Sequence, residues 1–180
     1  MKAKPNIPIN NQGSDAIGGV YIVQLSMAAT DPIEIRNLGV HRDEYFAFFA
    51  LTKGNVKMEC DTEETEFDAT SIGFIKPFQV HAVKQLSDDA EGYFIGIAPF
   101  LIPIVCWEVF ENLTVPEQGK KVEERLIEDF QNHLALLHRA FNTTQPSKAQ
   151  IINGIFNSLI YKLANLFSSN KTTFVNTHKN

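Results

Sequence analysis

Two histidines stand in β-rich stretches and differ in what surrounds them. His41 opens HRDEYFAFFALTKG, and His81 follows a proline in GFIKPFQVHAV. An imidazole in such a place can ligate a metal, move a proton or hydrogen-bond a bound molecule, and its neighbours decide which. Tyr45 and Tyr93 each offer an aromatic ring with a hydroxyl, a combination suited to holding a small molecule. The 14 phenylalanines, Phe49 and Phe74 among them, supply core or pocket wall. Nucleophilic and phosphoryl chemistry have no such foothold, because the sequence holds no GxSxG, HExxH, P-loop or GxGxxG pattern. Cys60 and Cys106 have no nearby base and form no CxxC pair, so they read as inert core thiols in a reducing cytosol.

The elements that must position these groups fall into two textures. From Val20 the chain runs in short β-branched and aromatic stretches separated by turn signals: VYIVQLSM, IEIRNL, EYFAFFALT, VKMEC, ETEFD, SIGFI, VHAVKQL and EGYFIGIA. Such spacing predicts an all-β sandwich or barrel. EYFAFFALT and YFIGIA are apolar at both parities, which predicts strands covered on both faces. After about Val115 the period lengthens to about 3.6 residues. Val122, Leu126, Phe130, Leu134, Leu137 and Phe141 make one helical stripe, and Gln145-Pro146 ends it. A second helix, Ser147 to Phe167, follows with Ile152, Ile155, Phe156, Leu159, Leu163 and Leu166 as its stripe, widened by Ile151, Ile160 and Phe167. The layout is an N-terminal arm over 1–17, a β-rich unit over 18–115, a helical hairpin over 116–169 and a polar linker over 170–180.

The ordered combination of these stretches resembles the cupin superfamily, and more closely the N-terminal sensor domain of AraC-type transcription regulators. His41 and Gly54 bracket one strand, Pro77 and His81 form a Pro-x-x-x-His element, Gly92 and Tyr93 open an apolar strand, and a helical hairpin follows. The likeness spans about Val20 to Phe167. It implies a cupin-like jelly-roll β-barrel followed by an antiparallel helical hairpin. It also implies a small-molecule effector inside the barrel, an arm that closes over it, and a homodimer paired through the hairpin. The family's DNA-binding helix-turn-helix part would lie beyond this chain.

The metal-binding form of the cupin pattern, His-x-His-x3-Glu-x6-Gly, can be laid on this sequence from His41. Its glycine falls on Gly54, but its second histidine falls on Asp43 and its glutamate on Ala47. His81 follows its proline by four residues where metal cupins use five, and one residue of shift exchanges the faces of a strand. The expectation is therefore a site without metal or cofactor and without catalysis. The alternative is a metal-dependent cupin enzyme acting on a small organic substrate. The candidate ligand-binding residues are His41, Tyr45, Phe49, Phe74, His81 and Tyr93. The candidate dimer contacts are Ile152, Ile155, Phe156, Leu159, Leu163 and Leu166, because the second helix carries more apolar surface than one stripe needs.

Charge and hydropathy set the remaining bounds. A net charge of -5 with no cluster of Lys and Arg disfavours nucleic acid binding by this chain alone. The one membrane-like run, Tyr93 to Trp107, is 15 residues long and holds Pro99 and Pro103. A spanning helix needs about 20. That run reads as a buried strand turning into a short helix, and the chain as a cytoplasmic protein with no membrane partner.

Overall fold

The computed structural model describes residues 7–26 and 39–168. The predicted IEIRNL strand and the linker over 170–180 lie outside the described residues, as do positions 1–6 of the arm. The strands are β1 (Ile9–Asn10), β2 (Val20–Leu25), β3 (Arg42–Asp43), β4 (Phe46–Lys53), β5 (Asn55–Cys60), β6 (Glu63–Asp68), β7 (Ser71–Ile75), β8 (His81–Leu86), β9 (Glu91–Ile97) and β10 (Gly119–Lys121). The helices are α1 (Ile104–Glu111), α2 (Glu124–Phe141) and α3 (Lys148–Ser168). The chain is mainly β with C-terminal helices, as the spacing predicts.

The strands form a jelly-roll-like sandwich of separate sheets rather than one closed barrel. A five-stranded sheet runs β10-β7-β4-β9-β2, a three-stranded sheet runs β6-β5-β8, and β1 pairs in parallel with β3. β10 comes from beyond the boundary expected at 115. Its pairing with β7 adds an edge strand that periodicity could not show in a Gly-Lys-Lys stretch.

Local sequence explains the joints. Asp61 and Thr62 both take positive φ, so a two-residue turn with the twist of a hairpin connects β5 to β6 at the pair Cys60 and Glu63. Gly54, at φ +75, turns β4 into β5, and a Cβ there would meet Ser87 Oγ at 2.3 Å. Gly73 lies opposite Phe49 in the β4–β7 ladder, and a Cβ on it would stand 2.2 Å from the Phe49 ring. The missing side chain therefore makes room for an aromatic one.

The five-stranded sheet is covered on both sides, which accounts for the double-parity apolar strands. One side packs on the helices through Phe46, Phe48, Ile72, Phe74, Tyr93 and Ile95. Phe110 of α1 is the centre of that layer, with ring contacts to Phe46, Phe48, Phe74 and Phe167 at 5.1 to 6.2 Å. The other side, with Ala47, Leu51 and Ile75, meets Val56, Met58 and Cys60 of the smaller sheet. The Tyr93–Trp107 run is divided as expected, into β9, a 3-10 turn at Pro99–Leu101 and the start of α1. No helix among the described residues is long and apolar enough to cross a membrane.

α2 and α3 pack against each other as an antiparallel pair, with Asp129 bonded to Lys162 and His133 close to Ile155. Two helical expectations need correction. Ile127 rather than Leu126 faces the core in α2, because the buried ridge runs 127, 130, 134, 137 and the three-residue step back from Phe130 reaches Ile127. In α3, Ile152, Phe156, Leu159 and Leu163 are buried within the chain, and Ile155 and Leu166 are half-buried. α1, α2 and the sheet already cover the wide stripe that a partner copy was expected to cover. Ile151 is left outside.

Both thiols are sealed in this architecture. Burial first, then the nearby Asp61 carboxylate, pushes the Cys60 thiol up to about 12, and burial raises that of Cys106. We expect no reaction with Ellman's reagent at pH 8 in the folded protein and two thiols per chain after denaturation. A fast-reacting thiol in the folded state would contradict this packing.

Candidate functional site

A cavity of about 370 Å³ lies between the two sheets. Its walls are apolar, from Val23, Leu25, Phe49, Met58, Val83 and Phe94, and a polar cluster of His41, Asp43, Tyr45 and His81 joins them. No lysine or arginine is among the described residues that line it.

The period of two in extended chain places half of the cluster. His41, Asp43, Tyr45, Phe49 and Leu51 share one parity, and all five line the cavity. Backbone pairing places the other half. His41 and His81 form an antiparallel bridge, exchanging N–H···O bonds of 3.0 and 2.9 Å, so their side chains leave the same face. The rings meet with centroids 4.2 Å apart. His81 thus reaches the cavity despite its short spacing from Pro77, because the turn that contains Phe78 at φ +64 delivers it into register with His41. The Phe78 N–H also bonds the Asp43 carbonyl at 2.7 Å, tying this turn to β3. A bulge opposite Lys57 and Met58 then lets both Val83 and Leu86 point inward.

Both imidazoles have a fixed tautomer. His41 Nδ1 lies 2.7 Å from the Gly39 carbonyl oxygen and His81 Nδ1 lies 3.0 Å from that of Gln79. A carbonyl only accepts, so each Nδ1 carries the proton and donates it. Each Nε2 is turned to the Asp43 carboxylate, at 3.7 Å from Oδ1 for His41 and 3.3 Å from Oδ2 for His81. All three side chains are buried, and among the described residues Asp43 Oδ1 has no hydrogen-bond partner.

Tyr45 completes the cluster. Its phenol is held protonated far above the usual tyrosine range, chiefly by burial and then by the adjacent Asp43 carboxylate. Its folded pKa therefore lies above the unfolded value near 10, so the stability it contributes is full below about pH 10 and is lost as pH rises from there. We expect the urea midpoint of the wild type to fall steeply above pH 10 and that of Tyr45→Phe to fall less. Identical profiles would show that Tyr45 does not carry the effect.

Four of the six expected ligand-binding residues are together here: His41, Tyr45, Phe49 and His81. Phe74 and Tyr93 are not. They have the opposite parity, as the pairs Phe48 with Phe74 and Ala50 with Tyr93 show, and they pack under the helices. Phe74 contacts the rings of Phe110 and Phe167, and Tyr93 that of His138. Asp43, which is not among the expected ligand-binding residues, stands in the same cluster. Its signal was its place two residues after His41 on an extended strand.

No family model matches the sequence, and no curated protein matches it. Among solved structures, the chain is similar to the AraC-like transcriptional activator CuxR, with 13% identity over 81% of this chain and 53% of that one and a TM-score of 0.45. It is also similar to apo ToxT from Vibrio cholerae, with 12% identity over 83% of this chain and 56% of that one and a TM-score of 0.46. For Vibrio cholerae ToxT with a bound unsaturated fatty acid, the identity is 13% over 81% and 55%, and the TM-score 0.38. The chain spans about half the length of these structures.

Proposed function

We propose that this chain is the effector-sensing domain of an AraC-type transcription regulator, holding one small organic molecule between its sheets and carrying out no reaction on it. The observation that carries the reading is the cavity, whose size falls within the range of about 300–1,000 Å³ usual for small-ligand sites. Apolar walls with one polar cluster suit a molecule with an apolar body and a single hydrogen-bonding head. Among the described residues the wall offers hydrogen-bonding groups and no lysine or arginine to hold the head. His41, Tyr45, Phe49 and His81 are its contacts in this reading. The order of arm, β-sandwich and helical pair supports the regulator assignment, as do the motifs around His41, Gly54, Pro77 and His81.

A bound effector acts by its differential affinity for two states of the protein. The segments available to report it are the N-terminal arm and the chain after α3, and DNA is contacted only through a part outside this chain. Two copies pair through the hairpin in this reading, using apolar residues that its fold leaves exposed, such as Leu126 and Leu136 of α2 and Tyr161 of α3. The test is a thermal-shift series of apolar alcohols, phenols and amides, with light scattering on the same samples. A saturable rise in melting midpoint for one chemical class, in a dimeric protein, supports the reading. A cavity to which no class binds, or a chain that stays monomeric with and without ligand, counts against it.

A further inference from the structure

His41, Asp43 and His81 present three donor atoms, one from each side chain, that all lie within 4.8 Å of one another, and all three residues are buried. With each Nδ1 donating to a backbone carbonyl, each Nε2 offers a lone pair in the neutral ring, and the two converge on a carboxylate whose Oδ1 has no partner among the described residues. Electron pairs gathered in a buried place call for a cation. We propose that this cluster binds one divalent first-row transition ion, of the zinc and iron(II) kind, through His41 Nε2, His81 Nε2 and the Asp43 carboxylate.

Three features point to an ion rather than to a proton shared within the cluster. Two imidazoles and one carboxylate are the donor set that such ions prefer, and three protein ligands leave further positions free. Metal bonds of about 2.1 Å place neighbouring donors roughly 3.0–3.5 Å apart; His81 Nε2 is 3.3 Å from Asp43 Oδ2, within that range, and His41 Nε2, 3.7 Å from Oδ1, lies just outside it. The carbonyls of Gly39 and Gln79 occupy the place of the outer partners that fix the tautomer of a ligating histidine. The donor set differs from the metal-cupin pattern, which wants a carboxylate at position 47. Here the carboxylate comes from Asp43, so Ala47 removes nothing and the expectation of a metal-free site loses its basis. The free positions of the ion face the cavity, whether its occupant is an effector or a substrate.

The probe is the metal alone. Protein made without a histidine tag is stripped with a chelator and titrated with Co2+, followed by visible d–d absorption, and then with Zn2+ by calorimetry. We expect one equivalent of Co2+ with a low-symmetry absorption band, displaced by one equivalent of Zn2+. Asp43→Asn and His81→Gln should each weaken uptake by about 100-fold or more, since loss of an outer partner alone costs about 10–100-fold. Circular dichroism of the variants separates loss of ligand from loss of fold. If a variant does not fold, the wild-type spectrum decides. No Co2+ band and no stoichiometric Zn2+ in the wild type, or uptake unchanged in both folded variants, would overturn the proposal in favour of an imidazolium–aspartate pair.

Discussion

Leu159→Glu is expected to unfold the chain rather than to split a dimer. Leu159 is 1% exposed, and α3 lies with it between the sheet, α1 and α2. An unpaired carboxylate there costs on the order of 3–5 kcal/mol, in addition to the lost packing of a leucine. A domain of this size has about 5–15 kcal/mol in all. Circular dichroism should show a lost or sharply lowered thermal transition. Ile151→Glu on the same helix, at a position 37% exposed, should stay within about 0.5 kcal/mol of the wild type. A folded Leu159→Glu monomer derived from a wild-type dimer would return Leu159 to an interface and contradict the packing of α3.

The contrast between those two positions shows what the sequence could and could not convey. Period alone identified both long helices to within a few residues, because each buries a stripe of large side chains. It could not say what covers the stripe of α3. A nine-residue apolar set looks the same whether the cover is a second copy or the chain's own sheet and helices. The strands posed a similar ambiguity. β5 alternates buried and exposed and was legible face by face, whereas β4 and β7 are apolar at both parities since the sheet between cavity and helices has no wet side. Phe74 and Tyr93 were therefore assigned to the cavity when their parity turns them to the helices. His41, Tyr45 and Phe49 share a parity with one another, and all three line the cavity. Asp43 shares it too, yet a motif that wanted histidine there concealed it, and the bridge that brings His81 beside His41 is a long-range pairing that no local pattern carries.

The space between the sheets is expected to receive a small molecule. Val23 and Val83 line it from β2 and β8, and exchanging both for tryptophan fills volume that the fold leaves open. Filling an existing cavity is neutral or stabilising by about 0.5–2 kcal/mol, so the variant should fold while its binding is lost. The most direct measurement is a fluorescence titration of the wild type and the Val23→Trp/Val83→Trp variant with aminoanthracene, a neutral apolar fluorophore. Saturation at one equivalent is expected for the wild type, with at least about a 100-fold loss in the variant, equivalent to about 2.7 kcal/mol. Equal binding by a folded variant would place the probe on the outer surface and show that the space between the sheets is not its site.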